Sequence, residues 1–319
     1  MAEAPFQGKV GRTVAESTPW WPRPATAPEG APNVIYIVFD DLGFSDFGCY
    51  GSEIATPNID RLAAGGLRYT NFHTTALCSP TRAALLTGRN HHSVGMGGLA
   101  DWDFGYPGMR GRIAKSAGTI AEILKLEGYN TFATGKWHLT PTFETSPAGP
   151  YDQWPLQRGF ERFYGFLEGE TNQWHPELTL DNHHIEPSDD PDYHLSADIV
   201  DRSVGFINEQ QSVTPGKPFF LYMCFGATHA PHHAPAELIE KYVPVFEKGW
   251  DRTREERLAR QKASGIVPET TQLPDRNQSV RAWDALSDDE RRLAVRLQAA
   301  FAGMLEHADA QIGRLIGFL

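Results

Sequence analysis

A run of apolar and β-branched residues at 33–39 ends abruptly in two adjacent aspartates, Asp40 and Asp41. Such a run is typical of a strand buried on both faces of a parallel sheet. We therefore predict a central parallel strand here. Open α/β sheets place their ligand crevice at the carboxyl ends of their strands, so the two aspartates are candidate site residues.

Helix and strand patterns alternate along the chain, which predicts an α/β fold with a mostly parallel central sheet flanked by helices. Thr56 and Ser79 are the predicted N-caps of the first two helices, each followed by a proline in the first turn. The predicted helices span 57–64, 80–87, 119–127 and 197–210, and the further predicted strands span 67–73, 129–134 and 218–225.

Four other segments complete the predicted organisation. Residues 1–32 are rich in proline and alanine and predict an extended arm, and 33–319 form the predicted catalytic portion. Residues 140–196 predict long loops on the active face, and the charged stretch 247–286 predicts an insertion. A capping box at Ser287 begins a long amphipathic helix.

Charge and cysteine content restrict the partners and the compartment. The 29 basic and 40 acidic residues give a formal net charge of −11, which disfavours nucleic acid and anionic membranes as partners. Three cysteines show no disulfide framework, and no signal-peptide pattern or membrane-length apolar run is visible. We therefore expect a reducing compartment such as the cytoplasm.

Two groups of residues could carry chemistry. Asp40 and Asp41 offer only oxygen ligands, which suit Ca²⁺ or Mg²⁺, although one could equally cap a turn while the other is solvated. Cys78 precedes a predicted helix start, where backbone amides bind anions and lower a thiol pKa. Arg82 lies one helical turn further on and could bind the same anion. An isolated cysteine is, however, most often a small buried apolar residue.

These residues also resemble a known family. The segment CSPTR at 78–82, followed by LLTGR at 85–89, resembles the signature of type I sulfatases. Upstream, DDLG at 40–43 and TPNIDRL at 56–62 are similar to the opening segment of that family. Downstream, GY at 128–129 and GKWH at 135–138 are similar to its second signature. The resemblance extends from about residue 33 to 319, is strongest to large bacterial arylsulfatases, and implies an alkaline-phosphatase-like fold.

The resemblance implies hydrolysis of a small sulfate monoester. Cys78 would be oxidised to formylglycine (3-oxoalanine) by a formylglycine-generating maturation enzyme, and the aldehyde hydrate would attack sulfur. A serine in its place would be left as a stable sulfate ester, whereas a hydrate can expel sulfate through its second hydroxyl. Asp40, Asp41 and residue 78 would bind one Ca²⁺ by the same resemblance.

The remaining roles are also implied by the resemblance. Arg82 steadies the hydrate, Lys136 binds sulfate oxygens and His138 exchanges the hydrate's proton. His229 lies next to the leaving oxygen, although His232 and His233 follow closely enough to leave the register open. Taken singly, the lysine and histidines would more often be surface or structural residues.

The sequence also departs from the family pattern. The family completes its calcium site with an Asp-Asn or Asp-His pair after a further strand and adds a second lysine, and neither is found here. We therefore expect an N-terminal portion of an arylsulfatase, with the activity of the 319-residue chain left open. The alternatives are a phosphonate monoester or phosphodiester hydrolase of the same superfamily and a non-catalytic anion-binding remnant.

Overall fold

The computed structural model describes residues 5–319, and a six-stranded sheet lies at its centre. The strands are β1 (Val34–Val38), β2 (Asn130–Lys136), β3 (Arg162–Phe166), β4 (Leu178–Leu180), β5 (His183–Ile185) and β6 (Phe219–Cys224). Their spatial order is β1, β6, β2, β3, β4, β5. The first four in that order are parallel, and β4 and β5 are antiparallel. The predicted mostly parallel α/β sheet is confirmed.

Helices cover both faces of the sheet. They are α1 (Pro57–Gly65), α2 (Cys78–Thr87), α3 (Ile120–Leu126), α4 (Leu195–Val213), α5 (Ala236–Phe246), α6 (Gly249–Ala263) and α7 (Asp288–Phe318). One apolar cluster joins α2 and α3 to the sheet, and a second joins α4 and α7 to its other face. The helices predicted near 57, 80, 119, 197 and 287 are therefore present. None of the described helices is both long and apolar enough to cross a membrane.

The prediction that β1 is central was wrong. Within residues 5–319 it pairs only with β6 and lies at one edge of the sheet. Its alternate residues nevertheless contact the two opposite apolar clusters, Val34 on one face and Ile35 on the other. An apolar run therefore indicates that both faces of the strand are covered by helices. It does not indicate where the strand lies in the order of the sheet. Its neighbour β6 lies in the interior of the sheet, and every residue of β6 is buried.

The strand predicted at 67–73 was also wrong. This segment has no strand partner, and Leu67, Tyr69 and Phe72 are mostly exposed. An alternating pattern produces a strand only when a neighbour can pair with it.

The segment predicted as long loops and the segment predicted as an insertion both contain regular elements. The loop region 140–196 includes β3, β4 and β5, and β3 is a parallel interior strand beside β2. The predicted insertion 247–286 contains α6, which an ion-pair network holds in place. Arg257 donates hydrogen bonds to Glu53 and Asp46, on the segment that follows β1. This region is thus part of the folded domain.

The start of α1 is capped from a distant helix. Thr56 occupies the predicted N-cap position, but its side chain makes no cap hydrogen bond. Instead, the buried Asp309 of α7 accepts hydrogen bonds from the backbone N–H of Asn58 at 3.1 Å and of Ile59 at 2.9 Å. A carboxylate at this position also complements the helix dipole. In contrast, the capping box predicted at Ser287 is confirmed.

Residues 1–4 of the predicted N-terminal arm lie outside the described residues. From 5 to 32 the arm is mainly irregular, with one short bridge between Lys9 and Thr18. Its last part contacts the body, because Ala27 and Ala31 pack against the α2–α3 side of the core. The boundary at residue 32 stays a prediction.

Candidate active site

The candidate site lies at the end of the sheet where the parallel strands have their carboxyl ends. The first turn of α2 lies next to the carboxyl ends of β1 and β2 there. Asp40 follows β1, Lys136 ends β2 with His138 two residues later, and Arg82 lies one turn into α2. Because the strands are parallel, their carboxyl ends lie at the same edge. The structure therefore brings together side chains that are far apart in the sequence, such as Asp40 and His138, which are separated by 98 residues.

We call Asp40, Arg82 and Lys136 the inner group, since each is at least 96% buried. Lys136 Nζ donates a hydrogen bond to Asp40 Oδ2. Arg82 lies 3.7 Å from Asp40 Oδ1 and donates a 2.8 Å hydrogen bond to the carbonyl of Lys136. Two buried cations thus share one buried carboxylate. The excess of one positive charge suits an anionic ligand.

Cys78 lies beside the inner group. It is the first residue of α2, with Leu77 at the N-cap position, so the helix begins one residue before the predicted N-cap Ser79. Its Sγ lies 3.0 Å from His138 Nδ1. Burial raises the pKa of the thiol, but the hydrogen bond to His138 and the charge of Lys136 outweigh burial and lower the pKa below its ordinary value.

His138 joins Cys78 to an acidic residue that the sequence did not reveal. His138 Nε2 donates to Asp101 Oδ2 at 2.8 Å, and the other oxygen of Asp101 accepts from Thr142 at 2.8 Å. Burial lowers the pKa of His138, but its hydrogen bonds to Asp101 and Cys78 outweigh burial and raise it. Asp101 belongs to no motif of this sequence, and no spacing rule would have related it to His138.

Asp41, Glu170 and His229 form what we call the outer group, which is more open. Asp41 is 65% exposed and Glu170 is 66% exposed, and they lie 3.6 Å and 3.7 Å from the ring nitrogens of His229. These distances exceed those of good hydrogen bonds. Of the three histidines that left the register open, His229 is the one that faces Asp41, whereas the ring of His232 packs against Phe301.

The predicted calcium ligands do not form a complete metal site. Two carboxylates are the donor type that Ca²⁺ prefers, but it takes six to eight oxygens. Asp40 is paired with Lys136, and the Asp41 carboxylate faces His229. Across residues 5–319, no group of three or more His, Cys, Asp or Glu side chains is arranged to hold a metal ion. The described donors therefore do not fit a whole calcium site.

Comparison with known proteins decides the family. Residues 32–319 match the family model named Sulfatase. The chain belongs to the sulfatase family. It is 36% identical over 311 residues to an uncharacterised sulfatase of Schizosaccharomyces pombe, covering 90% of this chain and 54% of that protein. It is 32% identical over 302 residues to an arylsulfatase of Klebsiella aerogenes, covering 91% of this chain and 62% of that one.

Solved structures agree on the fold. A sulfatase-like protein from Bacteroides fragilis superimposes with a TM-score of 0.65 at 19% identity, covering 92% of this chain and 60% of that chain. At this identity the likeness concerns the fold alone. The chain spans between half and two thirds of the length of the sulfatases it matches here. The type I sulfatase resemblance and the alkaline-phosphatase-like fold class are confirmed.

Proposed function

We propose that this chain carries the nucleophile and the sulfate-binding side of an active site that hydrolyses sulfate monoesters. The observation that carries the proposal is the inner group, in which two buried cations share one carboxylate beside Cys78. Buried cations bind an anion strongly because little water competes with them. In a protein of net charge −11, this is a local concentration of positive charge.

We propose that Cys78 is converted to formylglycine by a formylglycine-generating enzyme. Its place at the start of α2, against His138 and close to Lys136, suits a small polar group that must be oriented by hydrogen bonds. When present, the aldehyde hydrate would supply a nucleophile that can later expel sulfate. The family membership supports this modification.

The chain's own side chains then have distinct tasks. Lys136 and Arg82 hold the sulfate charge and oppose the negative charge that develops during attack. His138 exchanges a proton with residue 78 through Nδ1, the nitrogen that faces it. His229, at the open side, donates a proton to the departing alcohol oxygen as a general acid.

For calcium we propose binding alone, with no role in a catalytic step. Asp40 and Asp41 have the right donor chemistry, and we propose that they contribute two ligands to a Ca²⁺ site. No catalytic step is assigned to the ion, because the described residues do not complete its coordination. Calorimetric titration of Ca²⁺ into the protein and into Asp41→Asn would show whether this carboxylate contributes.

The substrate and location are proposed more coarsely. A small sulfate ester suits the charge of the inner group. The three cysteines are free thiols, which is typical of a reducing compartment, and we propose the bacterial cytoplasm.

The test measures both the modification and turnover. After co-expression with a formylglycine-generating enzyme, peptide mass spectrometry should find an aldehyde at residue 78 that reacts with hydrazides. An aryl sulfate should then be hydrolysed faster than a phosphate diester. Cys78→Ala should abolish both results, whereas Cys49→Ala, which changes a half-buried cysteine, should preserve them.

Three results would contradict parts of the proposal. An unmodified thiol after co-expression would count against the formylglycine assignment. Preference for the phosphate diester would favour the phosphodiesterase alternative. Sulfate binding without turnover, in a protein with a converted residue 78, would favour the non-catalytic remnant.

A further inference from the structure

The strongest unassigned feature is the carboxylate of Asp101, in the loop between α2 and α3. It lies at the end of a hydrogen-bonded chain that runs from Cys78 through His138. Its second oxygen accepts a hydrogen bond from Thr142. Both oxygens are therefore directed by specific donors, which a merely solvated surface aspartate would not require.

The hydrogen-bond chain fixes which nitrogen of His138 faces the nucleophile. An ionised carboxylate can only accept hydrogen bonds, so Nε2 must carry a proton. That leaves Nδ1 as the atom that accepts a proton from residue 78 or returns it. The opposite tautomer would place a lone pair against the carboxylate and lose this contact.

The ring of His138 is also held by close packing. A Cβ added to Gly169 would lie 2.8 Å from Cε1 and 3.0 Å from Nε2 of His138. The backbone of His138 itself is in the left-handed region, with φ of 49°. Gly169 thus lets the chain approach the ring closely, and Asp101 fixes the rotation of that ring from its other end.

We propose that Asp101 is a positioning residue for His138, holding the ring in the Nε2–H tautomer with Nδ1 directed at residue 78. This inference rests on the proposed function, since the proton exchanged at Nδ1 is that of the sulfatase nucleophile. Asp101 does not touch the nucleophile and acts only through His138. Thr142 supports it by holding the second carboxylate oxygen.

Turnover gives the first test. Asp101→Asn keeps the shape, but its amide can donate to Nε2 and so favour the opposite tautomer. We expect a fall in kcat of roughly 10- to 100-fold, with a much smaller change in KM, as for other residues that orient a site histidine. Thr142→Val should show a weaker effect of the same kind.

A matched control lies two residues away. Asp103 is an aspartate of the same loop that pairs with Arg110, and none of its hydrogen bonds is to His138. Asp103→Asn should leave kcat near the wild-type value. An equal loss of kcat in Asp103→Asn and Asp101→Asn would mean that only the order of the loop matters, and would overturn the proposal.

The second test needs no turnover. Imidazole ¹⁵N spectra of the unconverted protein, recorded at a pH where the ring is neutral, report the tautomer directly. The His138 signals are assigned by their loss in His138→Gln. We expect the Nε2–H form in the wild type and an appreciable Nδ1–H population in Asp101→Asn. An unchanged tautomer in the variant would overturn the inference.

The two tests separate this inference from the proposed function. If residue 78 is never converted, or the converted protein neither binds sulfate nor hydrolyses a sulfate ester, the proposed function fails. The spectra then still decide whether Asp101 sets the tautomer of His138.

Discussion

The two sides of the active site are held in contrasting ways. In the inner group, Lys136 and Arg82 are almost completely buried and both contact Asp40. In the outer group, His229 contacts its acidic neighbours only at 3.6–3.7 Å. The inner side is therefore organised before any ligand binds, whereas the outer side leaves room for a substrate or an ion to set its final geometry.

This contrast predicts that substitutions in the inner group lower both stability and activity, whereas substitutions in the outer group lower mainly activity. A change in the inner group leaves an unpaired charge in a dry environment, which costs both folding and function. A change in the outer group removes a reactive side chain that contributes little to folding.

Lys136→Met should have the largest effect. It leaves Asp40 buried with only the more distant Arg82, and loss of one partner of a buried ion pair destabilises a protein by about 3–5 kcal/mol. Removing an electrostatic contact to the reacting group should also lower kcat by about 10²–10³-fold. Urea unfolding and aryl sulfate turnover measure the two effects. If both stayed at wild-type values, the inner group would have no special role.

His229→Gln should lower activity strongly and stability only slightly. Removal of a general acid costs about 10²–10⁴-fold in rate, and most for esters with poorly acidic alcohols. His229 is 24% exposed and its Nδ1 lies 2.6 Å from the carbonyl of Ala230, so the substitution should lower the free energy of unfolding by about 1 kcal/mol. His232→Gln is the matched control in the same segment and should retain most of the activity. Equal losses would mean that the outer group was assigned to the wrong histidine.

The segment that follows β6 and carries His229 is held in part by hydrogen bonds of the neutral His194 ring. His194 Nδ1 accepts the N–H of Ser196 at 3.1 Å, and Nε2 donates to the carbonyl of His233 at 3.2 Å, so both nitrogens are used in the neutral ring. Burial, with the charge of His307 adding to it, lowers the pKa of His194 to about 3. Burial alone lowers that of His307 to about 4.

Acidification should therefore weaken the fold. Below the ordinary histidine pKa of 6.5, the unfolded chain binds protons that the folded protein does not. The free energy of unfolding therefore decreases as the pH is lowered. We expect a loss of about 1–3 kcal/mol between pH 6.5 and about 5. Urea midpoints across this range measure it. His194→Asn keeps a capping oxygen and should flatten the profile; a profile as steep as the wild type would contradict the assignment.

The smallest effect should come from Gly169→Ala. The added methyl meets the ring of His138, so the ring must shift by a few tenths of an ångström. We expect a loss of kcat of roughly tenfold, because small misplacements of a positioned group reduce rates strongly. Gly205→Ala, at a position with no atom near the added Cβ, serves as the control. Wild-type kcat in Gly169→Ala would show that the ring tolerates movement.

Local sequence patterns predicted the parts of the site that depend on strand ends and helix starts. Apolar runs located β1 and β6, and Asp40 and Asp41 were correctly predicted to follow the carboxyl end of β1. The pattern could not show the lateral order of the strands, because apolar faces reveal burial and not neighbours. It therefore predicted a central place for β1, whereas the parallel strands in the interior of the sheet are β6, β2 and β3.

The features that the sequence did not predict depend on contacts between segments that are distant in the chain. Asp101 reaches His138 through a loop without periodicity, so only the folded chain relates them. The strand β3 was hidden in a region whose aromatic and proline-rich composition suggested loops. Cys78, by contrast, was found through its motif, and the helix that it begins starts two residues earlier than predicted.

The cap that Asp309 places on α1 has a consequence for the order of folding. The partners are 251 residues apart, and protein synthesis adds about 5–20 residues per second. The start of α1 therefore waits roughly 12–50 s for its cap at those rates. During that interval Asp309 cannot bind the first amides of the helix, so the final docking of α1 comes late in folding.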